Sequence, residues 1–105
     1  MPVIQRHDGV ETDIADLAEY LFERSEAIAR RFVEQADFTI KELAKTPGIG
    51  SPKPYRAKKL AGMRSWWVKG FPKHLILYKL VEGGILVVAI VHGARNIPRI
   101  LRDRT

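Results

Sequence analysis

The sequence contains no cysteine, which removes disulfide stapling, thiolate catalysis and cysteine-ligated zinc, and agrees with a reducing compartment. No run approaches the roughly 18 apolar residues that a membrane-spanning helix needs. The longest apolar stretch, Ile85 to Val91, suits a strand. Met1-Pro2-Val3-Ile4-Gln5-Arg6 leads into Asp8, Glu11 and Asp13, not into the apolar core of a signal peptide. The expectation is a cytoplasmic protein with no membrane association. Acidic residues are nearly missing from the second half of the chain, where Glu82 and Asp103 stand alone.

With 105 residues there is room for one domain, 1–105, built around one core. Hydrophobic residues at 46% and charged residues at 29% give an ordinary globular balance, not that of a disordered chain. The formal net charge of +6 is unevenly placed. Residues 1–50 carry 10 acidic and 6 basic side chains, whereas residues 51–105 carry 2 acidic and 12 basic. That asymmetry implies a positive field over one part of the fold, suited to an acidic partner or a phosphate backbone.

Pro2 to Arg6 reads as a short strand. From Val10 to Phe22, Ile14, Leu17, Ala18 and Leu21 recur at helical spacing, with Thr12 or Asp8 available as a cap. Ile28, Phe32, Ala36, Ile40 and Leu43 mark a second, longer helix that opens at Ser25-Glu26 and stops at Thr46-Pro47-Gly48. The short connection makes the two an antiparallel hairpin. Residues 47–56 hold three prolines and two glycines and read as an irregular loop. Strands follow at Met63–Gly70, Lys73–Val81 and Ile85–His92, with Glu82-Gly83-Gly84 as a hairpin turn, Pro72 at a strand start and Ile85–His92 central in the sheet. Residues 93–105 form a basic tail with a possible helical turn. The fold class is α+β: an N-terminal strand, an antiparallel helical hairpin on one sheet face, then an antiparallel sheet of three or more strands. The opposite face is left for solvent or a partner. Trp66 and Trp67 are adjacent and in a regular strand point to opposite faces, one into the core and one to a surface.

Catalysis by paired carboxylates finds no pair in the sheet half, and His7, His74 and His92 have no metal-ligand spacing. No cofactor is expected. Cleavage of RNA at a 2′-OH remains open in principle, because basic side chains can act as base, acid and phosphate clamp. Arg64 and Arg95 flank strands and can grip an anion with two bonds; Lys59 and Lys73 add charge. His92 ends an apolar strand, where it either titrates near neutrality or simply bonds to the backbone. Tyr78 reads as a core or rim residue. Arg99, Arg102 and Arg104 form a solvated or partner-binding tail. The candidate target- or phosphate-binding set is therefore Lys59, Arg64, Trp67, Lys73, His92, Arg95 and Arg99, with no catalytic residue assigned.

Two motifs carry a resemblance. Lys58-Lys59-Leu60-Ala61-Gly62-Met63-Arg64 with Val68-Lys69-Gly70-Phe71-Pro72-Lys73-His74-Leu75-Ile76-Leu77-Tyr78-Lys79, and then Val91-His92-Gly93-Ala94-Arg95-Asn96-Ile97-Pro98-Arg99-Ile100-Leu101, resemble the sheet and closing motif of ParE-type toxins in the RelE/ParE superfamily. The resemblance implies a toxin neutralised by a cognate antitoxin whose C-terminal segment folds across it. It further implies operator DNA bound mainly through that antitoxin, and higher-order toxin–antitoxin assembly. ParE-like members poison DNA gyrase; RelE-like members cut mRNA on the ribosome. Arg95 matches a phosphate-contacting arginine of the RelE-like enzymes, but their C-terminal tyrosine falls near Leu101, which cannot transfer a proton. The resemblance thus favours DNA gyrase as target, with the ribosome and mRNA as the alternative.

Overall fold

The computed structural model describes residues Met1–Thr105. Strand β1 (Val3–Arg6) leads into helices α1 (Gly9–Phe22) and α2 (Glu26–Lys45). Strands β2 (Ser51–Pro52), β3 (Arg64–Val68), β4 (Phe71–Val81) and β5 (Gly84–His92) follow, and a short helix α3 (Ile97–Arg102) closes the chain. The five strands form one sheet in the order β1-β5-β4-β3-β2. It is a mixed sheet, because β1 runs parallel to β5 while every other pair is antiparallel. As expected, β5 is an inner strand, covered on both faces and buried along most of its length, although β4 is the middle one.

The cap of α2 is the expected one: the Ser25 hydroxyl accepts from the Ile28 N–H at 3.3 Å. The start of α1 differs from the expectation. Neither Asp8 nor Thr12 caps it; the His7 imidazole does, its Nδ1 accepting from the Gly9 N–H at 2.9 Å. The buried stripe of α2 is also turned slightly, with Ala29 inside and Ile28 exposed. Residues 47–56 are not wholly irregular. Pro47–Ile49 make one 3₁₀ turn, and Ser51–Pro52 pair with β3. Proline fits both places, because a first helical turn and a sheet edge leave its missing N–H unneeded. Pro72 lies at the second residue of β4, as a residue without a ladder donor must. Gly83 turns the β4–β5 hairpin at φ +79°, a conformation that side chains resist.

A β-bulge lies within the β4–β5 pair: Tyr78 faces Val87 and Leu77 faces Ala89, so Val88 is the extra residue. It sets Val88 and Ala89 side by side in one core, so that the residues facing the helical layer change phase from Ile85 and Val87 to Ile90. Under the helical hairpin Phe32, Ala36, Ile40 and Leu43 pack on Ile76, Tyr78, Val87 and Ile90. On the opposite face Leu60, Met63, Ile97 and Leu101 pack on Leu77, Val88, Ala89 and Val91. The second face is therefore not left bare: the 3₁₀ turn Lys58–Leu60 and α3 cover its middle. Apolar residues spaced across residues 60–63 and 97–101 are what make that cover, and burying them there extends a core that one helical layer would leave half open.

Candidate functional site

The open end of the sheet supplies the first region. β2 reaches only Ser65 and Arg64, so the outer edge of β3 is unpaired beyond them. The register between β3 and β4 shifts after Trp67. Next to this irregularity the two indoles do not separate across the sheet as regular alternation expects. They stack, with ring centroids 4.8 Å apart and planes 13° from parallel. Trp66 is half-buried against the helical-side core, and Trp67 is 49% exposed. Between this edge and the C-terminal half of α2 runs a groove of about 440 Å³, lined by Phe38, Thr39, Glu42, Ile49, Trp66, Trp67 and Lys69. Phe38 and Ile49 are exposed there, and the Lys69 ammonium sits 5.1 Å from the Phe38 ring centroid. The Thr39 hydroxyl accepts from the Lys69 N–H at 3.1 Å, satisfying a backbone donor for which no strand remains.

Behind the groove a buried tyrosine and an arginine hold the connection from α2. The Tyr78 hydroxyl donates to the Pro47 carbonyl at 2.7 Å and accepts from the Gly50 N–H at 2.9 Å. Burial raises its pKa above the usual 10.0, with the Gly50 bond and the charge of Arg64 opposing. Arg64 donates from Nη1 to the Gly50 carbonyl at 2.7 Å and, more weakly, to that of Gly48 at 3.3 Å. That nitrogen is thus spent on the loop. Gly50 must lack a side chain, since a Cβ there would overlap the Tyr78 hydroxyl and ring.

The second region is the end of β4 and β5. His74 and His92 are register partners whose rings meet edge to face, 5.4 Å apart. His92 is half-buried and its Nδ1 accepts from the Ala94 N–H at 3.1 Å. His74 is buried beside Phe32 and Phe71, and its Nδ1 has no hydrogen-bond partner. Lys73 is exposed, with its carbonyl accepting from Gly93 at 2.8 Å. Arg95 is exposed in the following turn, and lines with His92 a cleft of about 210 Å³ that also contains Asp13, Asp16, Leu17 and Arg104. Asp13 and Asp16 offset the charges of Arg104 and Arg95 in that cleft.

Lys59 and Arg99 lie elsewhere, on the outer side of the second sheet face, both exposed. The seven candidate residues therefore do not converge. Trp67 belongs to the groove, Arg64 to the loop behind it, Lys73, His92 and Arg95 to the strand ends, and Lys59 and Arg99 to a basic face. Leu101 is fully buried in the second core, so the position near which the resemblance places a RelE-like tyrosine faces no solvent. The groove around Phe38, Thr39 and Ile49 escapes sequence reading; Phe38, an aromatic off the buried stripe of α2, is a signal beside Trp67 that points to it. Arg104 is not part of a solvated tail: it forms an ion pair with Asp13.

A helical hairpin lies on one face of a mixed sheet, with an aromatic groove at the sheet's edge. The family described as ParE toxin of type II toxin–antitoxin system, parDE, matches residues 4–97. The chain belongs to the ParE toxin family. Among solved structures, a chain from the chromosomal ParDE toxin–antitoxin system of P. aeruginosa is similar in fold, with a TM-score of 0.68 over 88% of this chain and 96% of that one. The identity is 14%, so this likeness speaks for the fold alone. No curated protein sequence matches. As a ParE toxin, the chain acts as one half of a two-component module and has a cognate antitoxin as partner. No helix is long and apolar enough to cross a membrane.

Proposed function

We infer that this ParE toxin blocks replication in the cytoplasm by binding DNA gyrase through protein contacts, and that its antitoxin segment competes by covering part of the same molecule. The groove carries this reading. Stacked Trp66 and Trp67, with exposed Phe38 and Ile49 beside them, offer the large apolar anchors that dominate protein interfaces. Around it there is no proton-transfer pair: Tyr78 is locked between two backbone groups, and Arg64 is bonded to the loop. Chemistry at a 2′-OH needs a base and an acid on opposite sides of one phosphate; in the strand-end cleft, where His92 and Asp13 come nearest to such a pair, Asp13 is taken up by Arg104 and the Ile90 N–H, and His92 Nδ1 by the Ala94 N–H.

Supercoiling by purified gyrase, with and without free toxin, tests the reading. Inhibition or trapped cleaved DNA is expected, and unchanged supercoiling at large toxin excess rejects it. Primer extension on translated mRNA tests the RelE-type alternative, which predicts cleavage within codons during growth arrest; intact transcripts dismiss it.

A further inference from the structure

We propose that the sheet face covered by α3 and the 3₁₀ turn Lys58–Leu60 binds the phosphate backbone of duplex DNA directly, through Arg56, Lys58, Lys59, Lys79, Arg99 and Arg102. This goes beyond the reading above and does not depend on gyrase being the target.

The six charges belong to one surface. Leu60, Ile97 and Leu101 share one core cluster, which fixes the 3₁₀ turn against α3. Arg56 and Arg102 line a single cleft of about 330 Å³ with Tyr55 and Pro98. The Lys79 ammonium donates to the Lys59 carbonyl at 2.8 Å, which brings β4 into the same patch. Arg99 lies one turn from Arg102 on α3, whose Ile97 and Leu101 take the inward side. None of the six meets a carboxylate. The ion pairs of the molecule use Arg6, Arg30, Lys41, Lys45 and Arg104 instead. Asp103 is the one acid on α3 or its flank, and most acidic residues lie on α1 and α2, across the sheet. Six like charges without counterions repel one another, which disfavours the free protein and favours a polyanion that relieves them.

The kind of polyanion follows from what this face lacks. An acidic protein segment would need apolar anchors as well as charge. The exposed large apolar residues lie on β1, the helices, the groove and the far end of β4, and none lies in residues 53–62 or on α3. Single-stranded nucleic acid is held by stacking aromatic side chains, and this face has only Tyr55, which is half-buried. What remains is backbone contact to a duplex, where charge alone positions the protein without reading sequence. Alone such binding is weak, with a Kd on the order of 10⁻⁴–10⁻⁶ M at physiological salt. It becomes substantial when the toxin is already held beside DNA by another contact, because the second contact is then intramolecular.

Fluorescence anisotropy of a labelled, arbitrary-sequence DNA duplex of about 24 base pairs, titrated with purified toxin over a salt series, tests the proposal. For about four phosphate contacts, log K against log salt has a slope near −3.6. The double variant Arg56→Gln/Arg102→Gln should bind at least about tenfold more weakly and flatten the slope by about two. Lys41→Gln/Lys45→Gln removes the same charge from the helical layer and should change little. Equal weakening by both pairs would overturn the proposal, since it would report net charge and not a face. So would a slope shallower than about −1 for the unaltered protein, which decides the matter even if the Arg56/Arg102 variant does not fold. Tighter binding of a poly-glutamate peptide, a single strand or an RNA duplex at equal salt would assign the face to that ligand instead. Because gyrase is absent from the assay, failure here leaves the gyrase reading standing, and failure of that reading leaves this one.

Discussion

Asp13 on the first helix and Arg104, the second-last residue, are joined by a two-pronged ion pair, with Arg104 Nη2 2.7 Å from Asp13 Oδ1. The pair seals a strand edge. β1 covers β5 only as far as Val87, and beyond it the Ile90 N–H donates to Asp13 Oδ2 at 3.0 Å while Arg104 donates to the Val88 carbonyl at 3.0 Å. Two side chains thus do what a longer β1 would do, satisfying backbone groups that would otherwise be stranded.

Removing either partner leaves a mostly buried charge and an uncapped edge. The side chains are 17% and 14% exposed, so solvent screening is partial, and Asp13→Ala or Arg104→Ala should each cost about 2–4 kcal/mol. Urea unfolding measures it. Deleting residues 104–105 should cost about as much as Arg104→Ala, and the double variant should cost less than the two singles added together.

Tyr78→Phe removes a donor to Pro47 and the acceptor for the Gly50 N–H, leaving that buried amide unpaired. The expected loss is about 1–3 kcal/mol, with faster amide exchange confined to the 47–52 connection. Gly50→Ala should be worse than Tyr78→Phe, because its Cβ meets the phenol.

His74 gives the stability a pH dependence of known sign. Burial, then the charge of His92, lowers its pKa below the ordinary 6.5, so the folded state favours the neutral ring. The unfolded chain takes up the proton first as pH falls, so the His74 contribution is complete above about pH 6.5 and declines below it. It levels off once the pH is under the folded-state value. His74→Phe, packed by Phe32 and Phe71, should lose less stability than the unaltered protein between about pH 7.5 and 5.5. An equal drop in the two proteins would assign the dependence elsewhere.

Trp67→Ala should cost about 1–3 kcal/mol of stability, because half the ring is buried against Trp66, and weaken the relevant protein contact by at least about 2 kcal/mol, roughly 30-fold. Growth arrest on induced expression reads this out, and Trp67→Ala or Arg95→Ala should relieve arrest more than Lys53→Ala. Similar relief in all three would remove the distinction drawn for the groove.

The helices are legible in sequence because local rules fix them: a 3.6-residue stripe, a serine cap at Ser25 and a proline stop at Pro47. The β4–β5 hairpin is legible for the same reason, in its Glu82-Gly83-Gly84 turn. What escapes is non-local. Nothing near Val3 announces a parallel partner at Gly84, and no spacing links Asp13 with a residue 91 positions away. The Trp pair misleads because the register shift after Trp67 breaks the regular alternation there, and no local signal announces that shift. The site is legible in part: composition reveals a positive half, but which lysines and arginines share a surface depends on how residues 53–62 fold onto α3.

Contact without catalysis makes a stoichiometric claim, and titration of toxin against several fixed gyrase concentrations tests it most directly. The toxin needed for half-maximal loss of supercoiling should rise in proportion to gyrase once both exceed the Kd, and should not fall with longer incubation. Loss of activity at a small fraction of the gyrase concentration, deepening with time, would contradict it and point to turnover.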